Sequence, residues 1–161
     1  MRKLFMAAVL TSIVLLPAAS QAGWLLEGSV GKGYMVSSPR AWTQSNFMVA
    51  PGWSPPVLSL LHLQLGVAVD FADTSGSKTN YELRPMIAIC PPILPIFGRA
   101  IFAVQNLGGS GKTVWAYGAA GGVRFGLGPI GVFGEVGALP RSISSKFYWV
   151  AEARAGAYLA F

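Results

Sequence analysis

Hydrophobic and polar residues alternate through the last fifteen positions of the chain, 147–161. One parity carries the charged residues Glu152 and Arg154 together with Tyr148, Gly156 and Tyr158. The other parity is wholly apolar and consists of Phe147, Trp149, Ala151, Ala153, Ala155, Ala157, Leu159 and Phe161. Because the side chains of a β-strand point alternately to its two faces, this pattern predicts a strand with one apolar and one polar face.

Segments of similar length and patterning precede this strand along the chain. The pattern predicts eight strands, at positions 24–36, 42–50, 57–72, 79–90, 97–106, 113–126, 129–139 and 146–161. The connections after the odd-numbered strands are polar, whereas those after the second, fourth and sixth are rich in proline and nearly uncharged. Polar and apolar connections are therefore expected at opposite ends of the sheet. An even number of strands places both chain ends on the same side.

Strand parity also assigns the charged residues to one face. The third predicted strand places leucine and valine on one face and His62, Gln64 and Asp70 on the other. Applied to every strand, the rule gathers five acids and four arginines on the polar face: Glu27, Asp70, Glu82, Glu135, Glu152, Arg84, Arg99, Arg124 and Arg154.

Two residues do not follow this rule. Lys32 has the wrong parity relative to Glu27. We expect either a bulge at Gly31 or Gly33, or a lysine side chain that extends to the outer rim. Pro85 lies inside the fourth predicted strand and must cost a ladder hydrogen bond, so a bulge is expected there as well.

The composition indicates that the apolar face contacts lipid. Hydrophobic residues make up 53% of the chain and charged residues only 11%. Yet no stretch after residue 22 reaches the roughly 18 uncharged apolar residues of a membrane-spanning helix. A sheet exposed to lipid must close on itself, because an open edge would leave unpaired backbone groups in hydrocarbon. We therefore predict an all-β fold over residues 23–161, an eight-stranded antiparallel transmembrane up-and-down β-barrel.

The first 22 residues have the features of a secretory signal peptide. Arg2 and Lys3 form a charged start, residues 4–19 are apolar, and small residues occupy the positions before the cleavage site. This pattern predicts cleavage after Ala22. A retained membrane helix is the alternative, but the apolar run is short for one. The mature chain would carry ten Lys/Arg and six Asp/Glu, a net charge of +4.

These features together resemble small outer-membrane β-barrels of the OmpA, OmpX and OmpW type. The resemblance covers the whole predicted mature chain through its architecture rather than through a specific motif. It implies a location in the outer membrane of a Gram-negative bacterium, with both mature termini in the periplasm. It also implies that Phe161 is part of the signal that the barrel-assembly machinery reads.

The interior of an eight-stranded barrel is just wide enough for side chains to fill. A near-balance of acids and arginines is what burial demands, because an unpaired buried charge costs several kcal/mol. We interpret the charged face as a salt-bridged plug that closes the barrel, and a polar pore or proton path is the alternative. Cys90 is the only cysteine, so neither an intrachain disulfide nor a thiolate metal site is predicted.

The residues offer little support for catalysis. Some eight-stranded barrels are lipid A deacylases or acyltransferases, which need a histidine within reach of a serine and an acid. His62 is the only histidine, and residues 62–64 read His-Leu-Gln rather than the His-x-Ser of the deacylases. We predict no catalytic residue, cofactor or metal. A structural or interaction role is therefore expected, with a narrow transport conduit as the alternative and an envelope lipid-modifying enzyme as the third class.

The predicted surface suggests two kinds of partner. The connections at the polar end contain five basic residues, Arg40, Lys78, Lys112, Arg141 and Lys146. Their positive charge suits contact with anionic lipopolysaccharide. The alternative is that they are ordinary solvated loop residues, which explains the pattern equally well. Small outward residues of the last three strands suggest a self-association face, above all Ala151, Ala153, Ala155 and Ala157. The alternative is that alanine merely tolerates lipid. No nucleic-acid partner is predicted.

Overall fold

A computed structural model describes residues 23–38, 40–71, 80–107, 112–143 and 146–161. The predicted signal peptide lies outside these residues. The described chain forms one short 3-10 helix, Pro56–Leu58, and eight strands: β1 (Gly23–Met35), β2 (Trp42–Ser54), β3 (Leu61–Asp70), β4 (Tyr81–Ile89), β5 (Ile96–Leu107), β6 (Val114–Leu127), β7 (Ile130–Ile143) and β8 (Lys146–Ala160). Within the described ranges no helix is long and apolar enough to cross a membrane.

The eight strands form one closed antiparallel barrel in which each strand pairs with its neighbours in sequence. The ring closes where β1 pairs with β8, from Leu25 to Met35. Beyond this ladder, the Trp24 N–H donates to the Phe161 carbonyl at 2.8 Å, and the Phe161 N–H donates to the Trp24 carbonyl at 3.0 Å. Every strand therefore has two partners, as a sheet in hydrocarbon requires. The predicted eight-stranded barrel is confirmed.

The two ends of the barrel differ in their connections. The end that carries Gly23 and Phe161, called the terminal end below, has the turns 55–60, 90–95 and 128–129. The opposite end, called the far end, has the other four connections. None of the residues in the three terminal-end turns is charged, whereas Arg40 and Lys112 are exposed at the far end. The chain thus places its uncharged and its basic connections at opposite ends.

Prolines account for two of the three largest differences between predicted and observed strand ends, and the third is the start of β3, predicted at 57 but observed at Leu61 after the 3-10 helix. The sequence pattern ends the second strand at 50 and the seventh at 139, but β2 continues to Ser54 and β7 to Ile143. Pro51 and Pro140 lie inside these strands. The β2–β3 ladder is interrupted at Ala50 and Pro51 and then resumes in the same register at Gly52. A missing N–H therefore removes local hydrogen bonds without ending the strand.

Of the two expected irregularities, the one beside Lys32 is observed and the one at Pro85 is not. The β1–β2 register shifts between Lys32 and Tyr34, and Lys32 stays on the outside with its Nζ 5.5 Å from the centroid of the Trp42 ring. The expectation of a bulge at Pro85 is wrong, because Pro85 pairs in register with β3. The register shift in the β4–β5 ladder lies instead between Tyr81 and Leu83. The unpaired side of Pro85 faces β5, where a gap in the ladder suffices and no extra residue is needed.

Apolar residues occupy both the outer surface and parts of the interior. Inside, one cluster surrounds Met48 and Met86. A second, which includes Phe97 and Phe133, lies nearer the terminal end. Charged and uncharged polar residues occupy most of the remaining interior, which is packed with side chains apart from a small cavity at the terminal end.

We expect Gly137→Ala to destabilise the barrel, because Gly137 packs against β6. A Cβ atom at this position would lie 2.6 Å from the Ala119 carbonyl oxygen and 2.7 Å from the Cβ of Ala120. Such overpacking should lower the free energy of unfolding by about 1–3 kcal/mol. The matched control is Gly134→Ala on the outer face of the same strand, where a Cβ meets nothing within 4 Å.

Urea unfolding of the two variants, followed by tryptophan fluorescence in detergent micelles, measures this difference. Gly134→Ala should change the free energy of unfolding by less than about 0.5 kcal/mol. Equal midpoints for both variants would contradict the β6–β7 register.

Candidate functional site

The charged side chains of the strands converge in the barrel interior. Residues two apart on a strand share a face, so Glu82 and Arg84 of β4 both point inward, as do Glu152 and Arg154 of β8. The same alternation applies to the other strands. Nine predicted interior charges lie inside the barrel, each at most 9% exposed: Glu27, Asp70, Glu82, Arg84, Arg99, Arg124, Glu135, Glu152 and Arg154.

Arg84 is the centre of a group of charges in the far half of the barrel. Its side chain is 1% exposed. Nη1 donates to Oε1 of Glu152 at 2.7 Å, and Nη2 donates to Oε2 of the same carboxylate at 3.1 Å. Nη2 also donates to Glu82 at 3.0 Å. Two parallel bonds to one carboxylate are the strong, orientation-specific form of an arginine ion pair.

Arg141 also belongs to this group, which corrects its predicted role as a surface contact for lipopolysaccharide. Because β7 continues to Ile143, Arg141 lies within a strand and points inward. Nη1 lies 3.1 Å from Oδ1 of Asp70, and Nη2 lies 3.1 Å from Oε2 of Glu152. We call the following set the far cluster: Asp70, Glu82, Arg84, Arg141, Glu152 and Arg154. With Arg141, the described interior holds five acids and five arginines, so its formal charges balance.

A second set of ion pairs, the terminal cluster, consists of Glu27, Arg99 and Glu135. Nη2 of Arg99 lies 3.2 Å from Oε2 of Glu27, and its Nε lies 3.0 Å from Oε2 of Glu135. The other oxygen of Glu135 is 3.7 Å from Nε of Arg154 in the far cluster. Glu135 therefore links the two clusters into one chain of charges along the barrel.

Three of these ion pairs connect strands on opposite sides of the barrel. In a ring of eight, strands four apart face each other across the full diameter. Arg99 on β5 pairs with Glu27 on β1, and Arg84 on β4 pairs with Glu152 on β8. Likewise, Arg141 on β7 pairs with Asp70 on β3. The lumen is thus bridged across its diameter at three places.

Uncharged polar side chains complete the far cluster, and sequence reasoning did not single them out. Asn46, fully buried, accepts a hydrogen bond from Nη2 of Arg154 and donates to Glu152 at 3.4 Å. Gln105 donates to Glu82 at 3.3 Å and to the carbonyl of Pro140 at 2.8 Å. An amide on the inward parity of a strand is the signal that could have identified both.

Arg124 lies inside the barrel but outside the ion pairs, contrary to its predicted place in the charge network. Among the described residues it has no carboxylate within ion-pair distance. Its Nη1 donates to Sγ of Cys90 at 3.1 Å, and its guanidinium carbon lies 4.5 Å from the centroid of the Tyr158 ring. The β6–β7 register places Arg124 beside Phe133, closer to the terminal end than Glu135. A thiol and an aromatic face therefore hold this cation in place of an acid.

The histidine and the cysteine of the interior lie together at the terminal end. His62 lines a small cavity at the terminal end together with Cys90, Arg124 and Tyr158, and no serine contributes to the cavity wall. Across the described ranges, no group of three or more His, Cys, Asp or Glu is arranged to hold a metal ion. The arrangement can pair charges across the lumen and block it.

The remaining predicted surface residues lie outside the barrel. Arg40, Lys112 and Lys146 are exposed at the far end, and Lys78 falls outside the described residues. The four outward alanines of β8 are exposed. On β7, however, Val136 stands between Gly134 and Ala138, so the small-residue surface is not continuous. Contact with lipopolysaccharide and self-association stay predictions.

Comparison with known proteins relates this architecture to solved barrels. No family model and no curated protein matches the chain. The crystal structure of Neisserial surface protein A (NspA) matches with a TM-score of 0.64 and 15% identity, covering 87% of this chain and 98% of that one. The N-terminal β-barrel domain of Pseudomonas aeruginosa OprF matches with a TM-score of 0.55 and 12% identity, covering 86% of this chain and 100% of that one. The chain shares their fold. The predicted resemblance to small outer-membrane barrels is therefore confirmed at the level of the fold.

Arg84→Met should strongly destabilise the barrel, because it removes one of the cations that Glu82 and Glu152 share and leaves the far cluster with three acids and two arginines. Breaking a buried pair by removing one partner costs about 3–5 kcal/mol. The control is Arg40→Met, which makes the same change at an exposed position of the far end. Urea unfolding in micelles should show a lower midpoint for Arg84→Met alone, and an unchanged midpoint would show that the far cluster does not stabilise the barrel.

Proposed function

We propose that this protein is an integral outer-membrane β-barrel of a Gram-negative bacterium, with a closed, salt-bridged interior and a structural or interaction role in the cell envelope. The observation that carries the proposal is the distribution of polarity. Large apolar side chains cover the outside, including Trp115 and Val136, whereas charges fill the inside. A water-soluble protein has the opposite arrangement, so lipid is the solvent that this surface fits.

The outer membrane is the location that best fits a closed sheet of this size. Only helices and closed barrels satisfy their backbone groups in hydrocarbon. The fold shared with NspA, named as a neisserial surface protein, and with the barrel of OprF supports this location. A cleaved signal peptide over residues 1–22 would deliver the chain to the periplasm.

The distribution of charge at the two ends supports an orientation. We place the terminal end, with its uncharged turns, in the periplasm and the far end outside. Lys32, Arg40, Lys112 and Lys146 are then exposed near the outer leaflet, whose lipopolysaccharide is anionic. Favourable contact with these phosphate-bearing lipids follows as part of the proposal, without Arg141.

The bridges across the diameter support a closed barrel over a conduit. A solute that crosses the lumen would have to pass the Arg84–Glu152, Arg141–Asp70 and Arg99–Glu27 pairs. Breaking each of them would leave buried charges uncompensated. We assign the interior a structural role and no catalytic one. The narrow conduit remains the alternative, and the terminal-end cavity beside Arg124 is the feature that favours it.

Single-channel recording in planar bilayers separates the closed barrel from the conduit. We expect the wild-type protein to show no steady conductance. The double variant Arg84→Ala, Glu152→Ala removes one bridge and two of the six charged side chains of the far cluster, and it should show current. The pair Arg40→Ala, Lys112→Ala on the far-end surface is the control and should behave as the wild type. Steady current through the wild-type barrel would favour the conduit.

We also propose that Phe161 is read by the barrel-assembly machinery. Its side chain is 70% exposed, so it is available for recognition. Phe161→Ala should reduce the amount of heat-modifiable barrel in isolated outer membranes several-fold. Phe147→Ala is the matched control, since it removes an exposed phenylalanine of the same face at the other end of β8. Normal insertion of the Phe161 variant would contradict this role.

A further inference from the structure

The turns of the terminal end carry exposed aliphatic residues where a water-facing turn would carry polar ones. Val57 is 91% exposed in the β2–β3 turn and Ile93 is 80% exposed in the β4–β5 turn. Leu127 and Ile130, which flank the β6–β7 turn, are 66% and 60% exposed. Turns in water typically use glycine, proline, asparagine, aspartate and serine. The terminal-end turns share the prolines, but these exposed positions are aliphatic rather than polar. No residue in 55–60, 90–95 or 127–130 is charged.

These turns form one continuous rim, which we call the terminal rim and define as residues 55–60, 90–95 and 127–130. The N–H of Cys90 donates to the Leu60 carbonyl at 2.7 Å and joins the first two turns. The N–H of Arg124 on β6 donates to the Pro95 carbonyl at 2.8 Å, which ties the second turn to the strand that leads into the third. The exposed outer residues Leu63, Ile89 and Ile96 lie next to the turns, so the rim continues the apolar outer face.

The length of the strands also points to the rim. β4 has 9 residues and β3 has 10. At about 3.3 Å per residue and a tilt of about 40°, nine residues span roughly 23 Å along the barrel axis. The apolar band of such barrels is about 25 Å tall. By the same arithmetic the ten residues of β3 span roughly 25 Å, so β4 falls slightly short of the band and β3 only just matches it. The charged residues Asp73 and Lys78 follow β3 in the sequence, whereas the turns 55–60 and 90–95 are uncharged, so the band can extend into those turns.

We propose that the terminal rim is a membrane-binding surface whose aliphatic turn residues insert at the boundary between the headgroups and acyl chains of the nearer leaflet. This inference rests on the proposed membrane location. It adds how deeply the terminal end lies in the membrane and that lipid is what the terminal rim contacts. Exposed apolar patches mark sites where proteins or membranes dock. The terminal rim is continuous with the apolar outer face at Leu63, Ile89 and Ile96, and this continuity favours lipid as the occupant.

Site-directed spin labelling in vesicles of phosphatidylethanolamine and phosphatidylglycerol tests the rim directly. Single cysteines replace Val57 and Ile93 of the terminal rim. Val67→Cys on the outer face of β3 reports the lipid band, and Arg40→Cys at the far end reports water. Cys90 is buried, so the wild-type chain is the labelling blank, and Cys90→Ala replaces it if the blank takes up label. Heat-modifiable gel mobility identifies folded protein.

Collision rates with oxygen, which enters lipid, and with a nickel chelate, which stays in water, give the depth of each label. We expect the oxygen-to-nickel ratio at positions 57 and 93 to exceed the ratio at position 40 several-fold and to approach that at position 67. A lipid-like value at 67 with water-like values at 57 and 93 would overturn the inference and leave the proposed function intact. A water-like value at position 67 in folded protein would overturn both.

Discussion

The ion pairs that cross the barrel diameter are the interactions on which the rest of the structure depends. Arg84 with Glu152, Arg99 with Glu27, and Arg141 with Asp70 each join strands four apart in the ring. Replacing a buried pair by apolar residues is often neutral, whereas losing one partner is costly. The pairs therefore contribute less to net stability than to specificity, because a shifted register would separate partners that only this arrangement brings together. They also occupy the space through which a solute would pass.

Under the proposed membrane location, this interior follows from the solvent outside. In lipid, the outer face must be apolar and the sheet must close, so the polar residues of eight strands have only the lumen to occupy. A narrow lumen brings those residues within bonding distance of one another, and charge balance becomes a condition of folding. Arg124 shows how the barrel treats a charge with no acid beside it. The thiol of Cys90 and the ring of Tyr158 hold its guanidinium where the chain offers no carboxylate.

The outer surface is less uniform than the interior. At the far end, Lys32 lies beside the ring of Trp42, an arrangement suited to an anionic, hydrated boundary. At the terminal end, prolines and aliphatic residues continue the apolar face around the turns. The two ends are thus built for different surroundings. This asymmetry and the closed fold have the same cause, which is the surrounding medium. Each exposed residue must match the polarity of the medium at its own depth.

Local periodicity determined most of this architecture from the sequence alone. Alternation with period two is a property of each strand, so it predicted eight strands and the inward placement of nine charges without knowledge of pairing. It could not decide where a strand continues through proline, because the cost of a missing N–H depends on the neighbouring ladder. For this reason Arg141, which follows Pro140, was assigned to a loop although it lies in the far cluster. Only the tertiary structure decided which charges meet, since partners such as Arg84 and Glu152 are far apart in sequence and their contact depends on the closure and register of the whole ring.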